Sequence, residues 1–447
     1  MALSGVEIFK LLPKTNCKKC GHPTCLAFAM KLAQRQASLD LCPDVSEEAK
    51  KVLGEASAPP IRPVVLGAGD KAVKMGEETV MFRHDKTFVN PCAIAVEVKD
   101  TMSADELNAV ADQVLNSEID RVGQKIRIDA ICVSNASGDT AKFEAAVKTL
   151  AAKAPSVPLI LSTTDPAAAE AAAKLVAANK PLIYGANDAN ADAMANVAKN
   201  HKVSLGVIAK GLDGLTALTD KIKGLGVEDM VLDSGARTAK EILRDNTYIR
   251  RAALKKGNKS VGYPIITFAQ RDNSMLEILI ASLGIAKYSS IVVLSSIDRW
   301  KSLALFVLRQ NIYTNPQVPL QVKQDIYKIG TPSNDAPLLI TSNFSLTYFI
   351  VSGEIEGSKV PVRLAVLDTE GLSVLTGWAA GKFTASKIAQ FIQESGVEKE
   401  ISHKELIIPG YVAILSGSIE DKLPGWKITV GPREANGLPA FLKARTN

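Results

Sequence analysis

Eight short apolar runs alternate with helical patterns between residues 93 and 312, and this rhythm restricts the possible folds more than any other feature. The runs are AIAVEVKD (93–100), KIRIDAICVS (125–134), VPLILST (157–163), PLIYGAN (181–187), VSLGVIAK (203–210), DMVLDSG (229–235), PIITFAQ (264–270) and SSIVVLSS (289–296). Most are apolar along their length instead of alternating with polar residues. That is how strands read when both faces are buried, so a parallel sheet covered by helices is expected. Eight strand–helix units in about 220 residues predict a TIM-type (β/α)8 barrel. A large open doubly wound sheet is the alternative. Asp139, Asp165, Asp188 and Asp213 stand where helix caps are needed.

Other segments flank this core. EASAPPIRPVV (55–65) has linker composition, and GEETVMFRHDKTF (76–88) reads as a hairpin. Residues 313–336 carry proline, asparagine and glycine and read as a second junction. A new strand–helix series follows, with strands PLLITSN (337–343), VRLAVLDT (362–369), KELIIPG (404–410) and WKITVG (426–431). It is too short for a second barrel and fits a doubly wound domain of flavodoxin type. The expected order is a cysteine-bearing domain at 1–57, a linker at 58–92, the barrel at 93–312 and the flavodoxin-like domain at 313–447.

Four of the six cysteines, Cys17, Cys20, Cys25 and Cys42, fall in the first tenth of the chain, spaced C-x2-C-x4-C-x16-C. Gly21 makes a tight turn after the first pair. Pro23 holds the next segment out of helix until Cys25, and Cys42-Pro43 returns after that helix. Three thiolates from one loop and a distant fourth can surround a metal or cluster. Zinc sites usually pair two short knuckles, whereas here the second half offers one cysteine and His22 is not spaced as a ligand. Clustered cysteines with a proline after the last favour an iron–sulfur site over zinc, with plain thiols a third reading. Cys132 lies in an apolar run and reads as a buried, inert thiol.

Composition removes other classes. Lysine and arginine number 53 against 47 acidic residues, a net charge of +6 spread along the chain with no basic run interleaved with aromatics. Nucleic acid is therefore not an expected partner. No apolar stretch reaches the roughly 20 residues of a bilayer span, and no signal peptide is recognisable. A soluble, cytoplasmic protein with no membrane partner is expected. Neither a G-x-x-x-x-G-K-S/T phosphate loop nor a strand-following G-x-G-x-x-G is present.

In an open α/β sheet, ligands bind outside the carboxyl ends of the strands. In the last domain that rule selects Thr341-Ser342-Asn343-Phe344-Ser345, Asp368-Thr369-Glu370-Gly371-Leu372-Ser373, Pro409-Gly410-Tyr411 and Gly431-Pro432-Arg433. Glycine admits close backbone approach, and hydroxyls and amides supply neutral hydrogen bonds. The second loop runs on into Val374, Leu375, Thr376 and Gly377, which suits a large, flat, mostly apolar cofactor better than a bare phosphate. Ordinary turn and cap chemistry would use the same residue types. In the barrel, Asp233-Ser234-Gly235-Ala236-Arg237 ends the sixth strand at the expected catalytic face. It reads as a pterin pocket or, more simply, as a strand-end turn.

Taken together, NCKKCGHPTCLAFAMKLA, NFSLTYF…GEIEG, DTEGLSVLTGW and IIPG…GWKITVGPREA resemble the large subunit of the corrinoid iron–sulfur proteins of the reductive acetyl-CoA pathway. The resemblance spans essentially the whole chain. It implies a methyl carrier in carbon fixation. In that family a cobamide accepts a methyl group from methyltetrahydrofolate on a separate methyltransferase and passes it to acetyl-CoA synthase. A 4Fe–4S cluster reactivates cobalt that has drifted to Co(II). By position, Cys17, Cys20, Cys25 and Cys42 would hold the cluster. Thr341, Ser342, Leu346, Thr347, Glu370, Gly371, Leu372, Ser373, Val374, Leu375, Thr376, Gly377, Gly410, Tyr411, Gly431, Pro432 and Arg433 would hold the cobamide, with Gly371 to Thr376 nearest its lower face. No separate catalytic residue is implied. The implied partners are a small barrel subunit forming a heterodimer, the methyltetrahydrofolate:corrinoid methyltransferase, acetyl-CoA synthase, and an electron donor such as ferredoxin or CO dehydrogenase.

Many cobalamin proteins carry D-x-H-x-x-G, whose histidine ligates cobalt from below. None of His22, His84, His201 and His403 has that context. A base-off cobamide without a protein histidine ligand is expected, and cobalt without a strong axial donor is easier to reduce. Three partners taking turns at one cobalt face imply movement, with hinges near 55–65 and 313–336. Three other readings remain: a barrel enzyme catalysing pterin-dependent methyl transfer, a flavin and iron–sulfur electron-transfer subunit, and a zinc-stapled structural module.

Overall fold

A computed structural model describes residues 5–33, 37, 39–46, 49, 59–121 and 124–446. Contacts divide the chain into two units. One holds the residues up to Glu118 with Arg127–Tyr313, the other Ile119–Ile126 with everything from Thr314.

The first unit opens with helices Gly5–Leu11 and Cys25–Ala33. They pack around a small core of Ile8, Leu12, Phe28, Ala29 and Leu32. A short antiparallel hairpin follows, β1 (Val64–Leu66) and β2 (Val73–Met75), with Val64 opposite Met75. This corrects the sequence reading twice. The hairpin lies upstream of residues 76–88, which form no strand. The described part of the expected linker is also built into the barrel, because Val64, Leu66 and Met75 are buried in the same cluster as the barrel strands. Glu78 pairs with Arg250 at 3.2 Å, and the Arg250 guanidinium lies over the Phe88 and Tyr288 rings. Residues 55–58 of the proposed hinge lie outside the described residues. Three-residue strands carry too little pattern to be read in advance.

The barrel strands are β3 (Ala93–Lys99), then, after a hairpin of β4 (Ile119–Arg121) and β5 (Gln124–Ile126), β6 (Ala130–Ser134), β7 (Leu159–Ser162), β8 (Leu182–Ala186), β9 (Ser204–Ile208), β10 (Met230–Asp233), β11 (Ile266–Phe268) and β12 (Ile291–Leu294). All eight pair in parallel in the order β10-β9-β8-β7-β6-β3-β12-β11. A parallel bridge between Leu232 and Ile265 joins the two ends, so the ring closes. Alternate residues of the strands, among them Ala93, Ala95, Cys132, Val231, Ile266 and Val293, share the interior cluster. This is the (β/α)8 barrel expected from the apolar runs.

Helix starts follow the expected cap chemistry in part. Asp139 accepts from the Ala141 amide at 2.8 Å and Asp165 from Ala167 at 3.0 Å. Ser103–Glu106 and Thr238–Glu241 form reciprocal capping boxes. Asp188 and Asp213 are not caps. The helix after Asp188 is flanked by Asn190, and Asp213 lies inside the first turn of Gly211–Gly224. There its carboxylate still meets the positive end of the helix dipole.

The second unit has strands β13 (Asp325–Ile329), β14 (Leu338–Ser342), β15 (Val362–Leu367), β16 (Glu405–Ile408) and β17 (Lys427–Val430), in the order β13-β15-β14-β16-β17. Strands β14 to β17 are mutually parallel, the flavodoxin-like arrangement, and β13 is an antiparallel edge on β15. β13 corrects the reading of 313–336 as a junction. Val322 donates to the Asn343 carbonyl and Ser345 donates to the Leu320 carbonyl, so the segment from about Leu320 belongs to this unit. An edge strand is half exposed and short, so DIYKI shows no continuous apolar run.

Among the described residues, no helix is long and apolar enough to cross a membrane.

Candidate functional site

The strand order of the second unit creates its site. β14 pairs with β15 on one side and β16 on the other, so the connections leave in opposite directions and the loops above their carboxyl ends part. A cavity of about 490 Å³ opens there. Leu339, Ile340 and Thr341 of β14 form part of its wall, with Ile407, Ile408 and Pro409 at the end of β16. Ser373 contributes from the loop after β15, Val374 and Leu375 from the start of helix Val374–Ala379, Tyr411 from the 3-10 turn after β16, and Gly431, Pro432 and Arg433 from the loop after β17. Thr347, Ile350 and Val351 complete it from helix Ser345–Ser358.

Several residues selected from sequence stand behind this lining. Ser342 is fully buried, and neither its hydroxyl nor that of Thr341 has a hydrogen-bond partner. Gly410 is buried, and a Cβ there would stand 2.7 Å from the Gly431 carbonyl oxygen and 2.8 Å from the Arg433 nitrogen. Gly371 holds φ +75°, and a Cβ there would stand 2.8 Å from Gln321 Cγ and 3.1 Å from Pro319 Cβ. Glu370 is ion-paired with Lys382, and the Thr376 hydroxyl accepts from Ser373 at 3.0 Å. Leu372 gives its carbonyl to the Thr369 hydroxyl at 2.7 Å, and Gly377 packs on Thr369 and Phe383. Leu346 is exposed on its helix.

Sequence reasoning gave Asn343 no role beyond its place in the loop after β14 and did not select Glu434. The buried Asn343 side chain accepts from the Thr369 amide, the Thr369 hydroxyl and the Gly371 amide, each at 3.0 Å, and donates to Asp368 at 2.8 Å. One asparagine therefore sets the shape of the β15 loop. Glu434 lines the cavity and accepts from the Tyr411 hydroxyl, and that carboxylate pushes the phenol's pKa up. An asparagine directly after a strand was the one available signal.

The cysteine segment forms a second centre. Cys25 begins the helix Cys25–Ala33. Asn16 pins the loop to that start: its side chain accepts from the Cys25 amide at 2.8 Å, and its own amide faces the Cys25 sulfur at 3.4 Å. Lys14, Asn16 and Lys18 hold positive φ, a costly conformation for residues with side chains. Cys25 and Cys42 are buried in the small core, Cys20 packs at its edge, and Cys17 is exposed with its sulfur 3.8 Å from the Asp44 carboxylate. Burial pushes the Cys42 thiol up, and the charges of Cys20, Cys17 and Cys25 add to it, opposing a hydrogen bond from the Asp44 backbone. Cys17, Cys20 and Cys25 therefore each lie within electrostatic reach of Cys42. Among the described residues, no three His, Cys, Asp or Glu side chains converge as the ligands of a single ion would. The His22 ring lies against Phe28. Cys92 and Cys132 are fully buried elsewhere, and burial raises both thiols.

At the barrel mouth, Asp233 receives Tyr184 Oη at 2.6 Å and both terminal nitrogens of Arg237 at 3.0 and 2.9 Å. The Gly235 amide also donates to it at 2.8 Å. The set is internally satisfied.

A family model for the CO dehydrogenase/acetyl-CoA synthase delta subunit matches residues 63–442, and an Fe-S cluster family model matches residues 12–43. The chain is 47% identical over 444 residues to the corrinoid/iron-sulfur protein large subunit of Moorella thermoacetica, covering 99% of both chains. It is 36% identical to the acetyl-CoA decarbonylase/synthase complex subunit gamma of Archaeoglobus fulgidus, covering 98% of each. It is 33% identical to that of Methanothermobacter thermautotrophicus, covering 99% of each. Similarity of this extent, running from the cysteine loop to the last helix, shows that the chain belongs to the CO dehydrogenase/acetyl-CoA synthase family that holds the corrinoid/iron–sulfur large subunits and the archaeal gamma subunits.

Proposed function

We propose that the chain is a methyl carrier, with a corrinoid held over β14, β16 and β17 and a 4Fe–4S cluster held by Cys17, Cys20, Cys25 and Cys42. The observation that carries this reading is the largely apolar cavity at the strand-order switch of the second unit. Its residues fit a large, flat ligand. Ile350, Leu375, Tyr411 and, nearby, Leu346 and Ile414 are exposed, and covering such side chains would contribute up to about 1.5–3 kcal/mol each. The unpartnered Thr341 hydroxyl, on a strand that forms the cavity wall, is available to a ligand's polar arms. At the other centre, four thiols on a strained loop, a helix start and a turn match a cluster's ligand set.

When bound, the corrinoid supplies a cobalt that accepts and donates a methyl group, and the cluster supplies the electron that restores the reduced metal. The chain's own residues orient and exclude. Gly410 lets the β16 and β17 loops close under the ligand, Asn343 holds the β15 loop in shape, and Val374 and Leu375 keep water from that face. The base-off reading is supported by His403, the histidine of the second unit. It sits before β16, away from the strand-end loops, with Nε2 3.0 Å from the Ala336 carbonyl and Nδ1 accepting from the Glu405 amide at 3.2 Å. The proposed partners are the small barrel subunit, the methyltetrahydrofolate:corrinoid methyltransferase, acetyl-CoA synthase and a low-potential electron donor.

An anaerobic absorbance spectrum with metal analysis tests the reading. It requires base-off corrinoid bands, about one cobalt and about four irons per chain. Iron without cobalt, from cells supplied with cobamide, would overturn it. Gly410→Ala provides a local test. Overpacking the β16 and β17 loops there would force them apart at a stability cost of about 1–3 kcal/mol. Cobamide affinity of the variant should fall with iron content unchanged. Unaltered affinity would remove Gly410 from the site.

A further inference from the structure

The barrel mouth holds a second cavity, of about 390 Å³, separate from the Asp233–Arg237 set. Its position follows from strand parity. Ala95, Phe268 and Val293 face the barrel interior. Two residues further on, Glu97, Gln270 and Ser295 continue the same alternation at the carboxyl ends of β3, β11 and β12, and all three line the cavity. These are the first, seventh and eighth strands of the barrel. The loops after the last two are a recurrent place for oxyanion sites in this fold.

Arg271, in the loop after β11, also lines the cavity. Its Nη1 donates to the Gln270 carbonyl, while its Nη2 is buried with no hydrogen-bond partner. A buried guanidinium nitrogen without an acceptor is costly, and the guanidinium fork matches a carboxylate or phosphate. Lys99 adds a second cation at the rim. Glu97 and Asp272 bring two carboxylates to the same cavity, so a bare polyanion would be opposed. The half-buried Glu97 instead asks for a donor. The β12 loop is held rigidly, since Lys301 binds Ser296 Oγ at 2.8 Å and Glu277 receives the Ser295 amide at 2.5 Å.

We infer that the barrel mouth binds a small ligand bearing one oxyanion and one amine or hydroxyl, with Arg271 and Lys99 on the oxyanion and Glu97 on the donor. The inference is independent of the corrinoid reading, because its residues all belong to the barrel.

Calorimetric titration of the full chain with O-phosphoethanolamine and, separately, β-alanine tests it and distinguishes phosphate from carboxylate. One of the two should saturate at about one site per chain, and Arg271→Gln should weaken that binding by at least about tenfold. Lys99→Gln, an exposed change that leaves folding intact, should weaken it several-fold. Glu97→Gln should weaken the amine-bearing probe while sparing inorganic phosphate or acetate. Saturation by neither probe below about 10 mM, or undiminished binding in both cation variants, would overturn the inference.

Discussion

Cys42→Ala protein, purified without oxygen, should retain only a small fraction of the wild-type iron and bind cobamide as before. Cys42 is the one proposed ligand contributed from beyond the helix Cys25–Ala33, and it is buried in the core of Ile8, Phe28 and Leu32. Alanine leaves no donor at that position, and the apolar wall keeps water from replacing it. The loss should extend to the local fold. Segments of fewer than about 40 residues rarely hold a core without metals or disulfides, and a bound structural metal can supply on the order of 10 kcal/mol of folding free energy. Cys17→Ser should lose less, because Cys17 is exposed and a serine oxygen can still approach the cluster. Cys132→Ala, deep in the barrel, serves as the control and should leave iron unchanged. Full iron content in Cys42→Ala would remove that residue from the ligand set. Parallel loss of cobamide binding would point instead to global unfolding.

A second large effect is expected where no cofactor is involved. Lys301→Ala should destabilise the barrel by about 3–5 kcal/mol, the usual cost of stranding a buried charge. Lys301 is 3% exposed and Glu277 is fully buried, with their charged atoms 2.9 Å apart. Lys301 also meets Asp298 at 2.9 Å. Removing the lysine leaves the Glu277 carboxylate in the interior with only the Ser295 amide for compensation. The pair itself is a weaker asset than its disruption implies, because desolvating both charges offsets most of their attraction. The double substitution Lys301→Met with Glu277→Leu should therefore recover much of the loss. Lys328→Ala, which breaks the half-exposed pair with Glu400 at 2.7 Å, should cost no more than about 1 kcal/mol. Denaturant unfolding would measure all three, followed in the barrel for the Lys301 variants and in the second unit for Lys328→Ala. A Lys301→Ala change as small as that of Lys328→Ala would mean that the site admits water.

The contrast between barrel and edge shows which parts of the fold were legible. Strands such as Ile291–Leu294 are buried on both faces, so the requirement appears as an uninterrupted apolar run that any reader of the sequence meets. β13 satisfies a one-sided environment, and Val64–Leu66 buries two side chains and exposes one. Neither writes a strong local pattern. Asp165 caps its helix as expected because the bond is to an amide two residues away. Asp213 does not, because the helix begins earlier than the sequence suggested.

For the proposed site, Thr341, Ser373, Tyr411 and Gly431 could be selected in advance, since strand ends are local and ligands gather at carboxyl ends. Ile350, Val351 and Leu438 could not, because they reach the cavity from helices whose docking depends on the whole sheet. The sequence alone thus determined the cysteine spacing, the strand–helix alternation and the loops able to carry a ligand, because each is a property of neighbouring residues. Only the tertiary structure decided that β14 lies between β15 and β16, that Asn343 gathers the β15 loop, and that Glu97, Gln270 and Ser295 meet at one barrel mouth. Those outcomes depend on pairings between segments far apart in the chain, which no local pattern encodes.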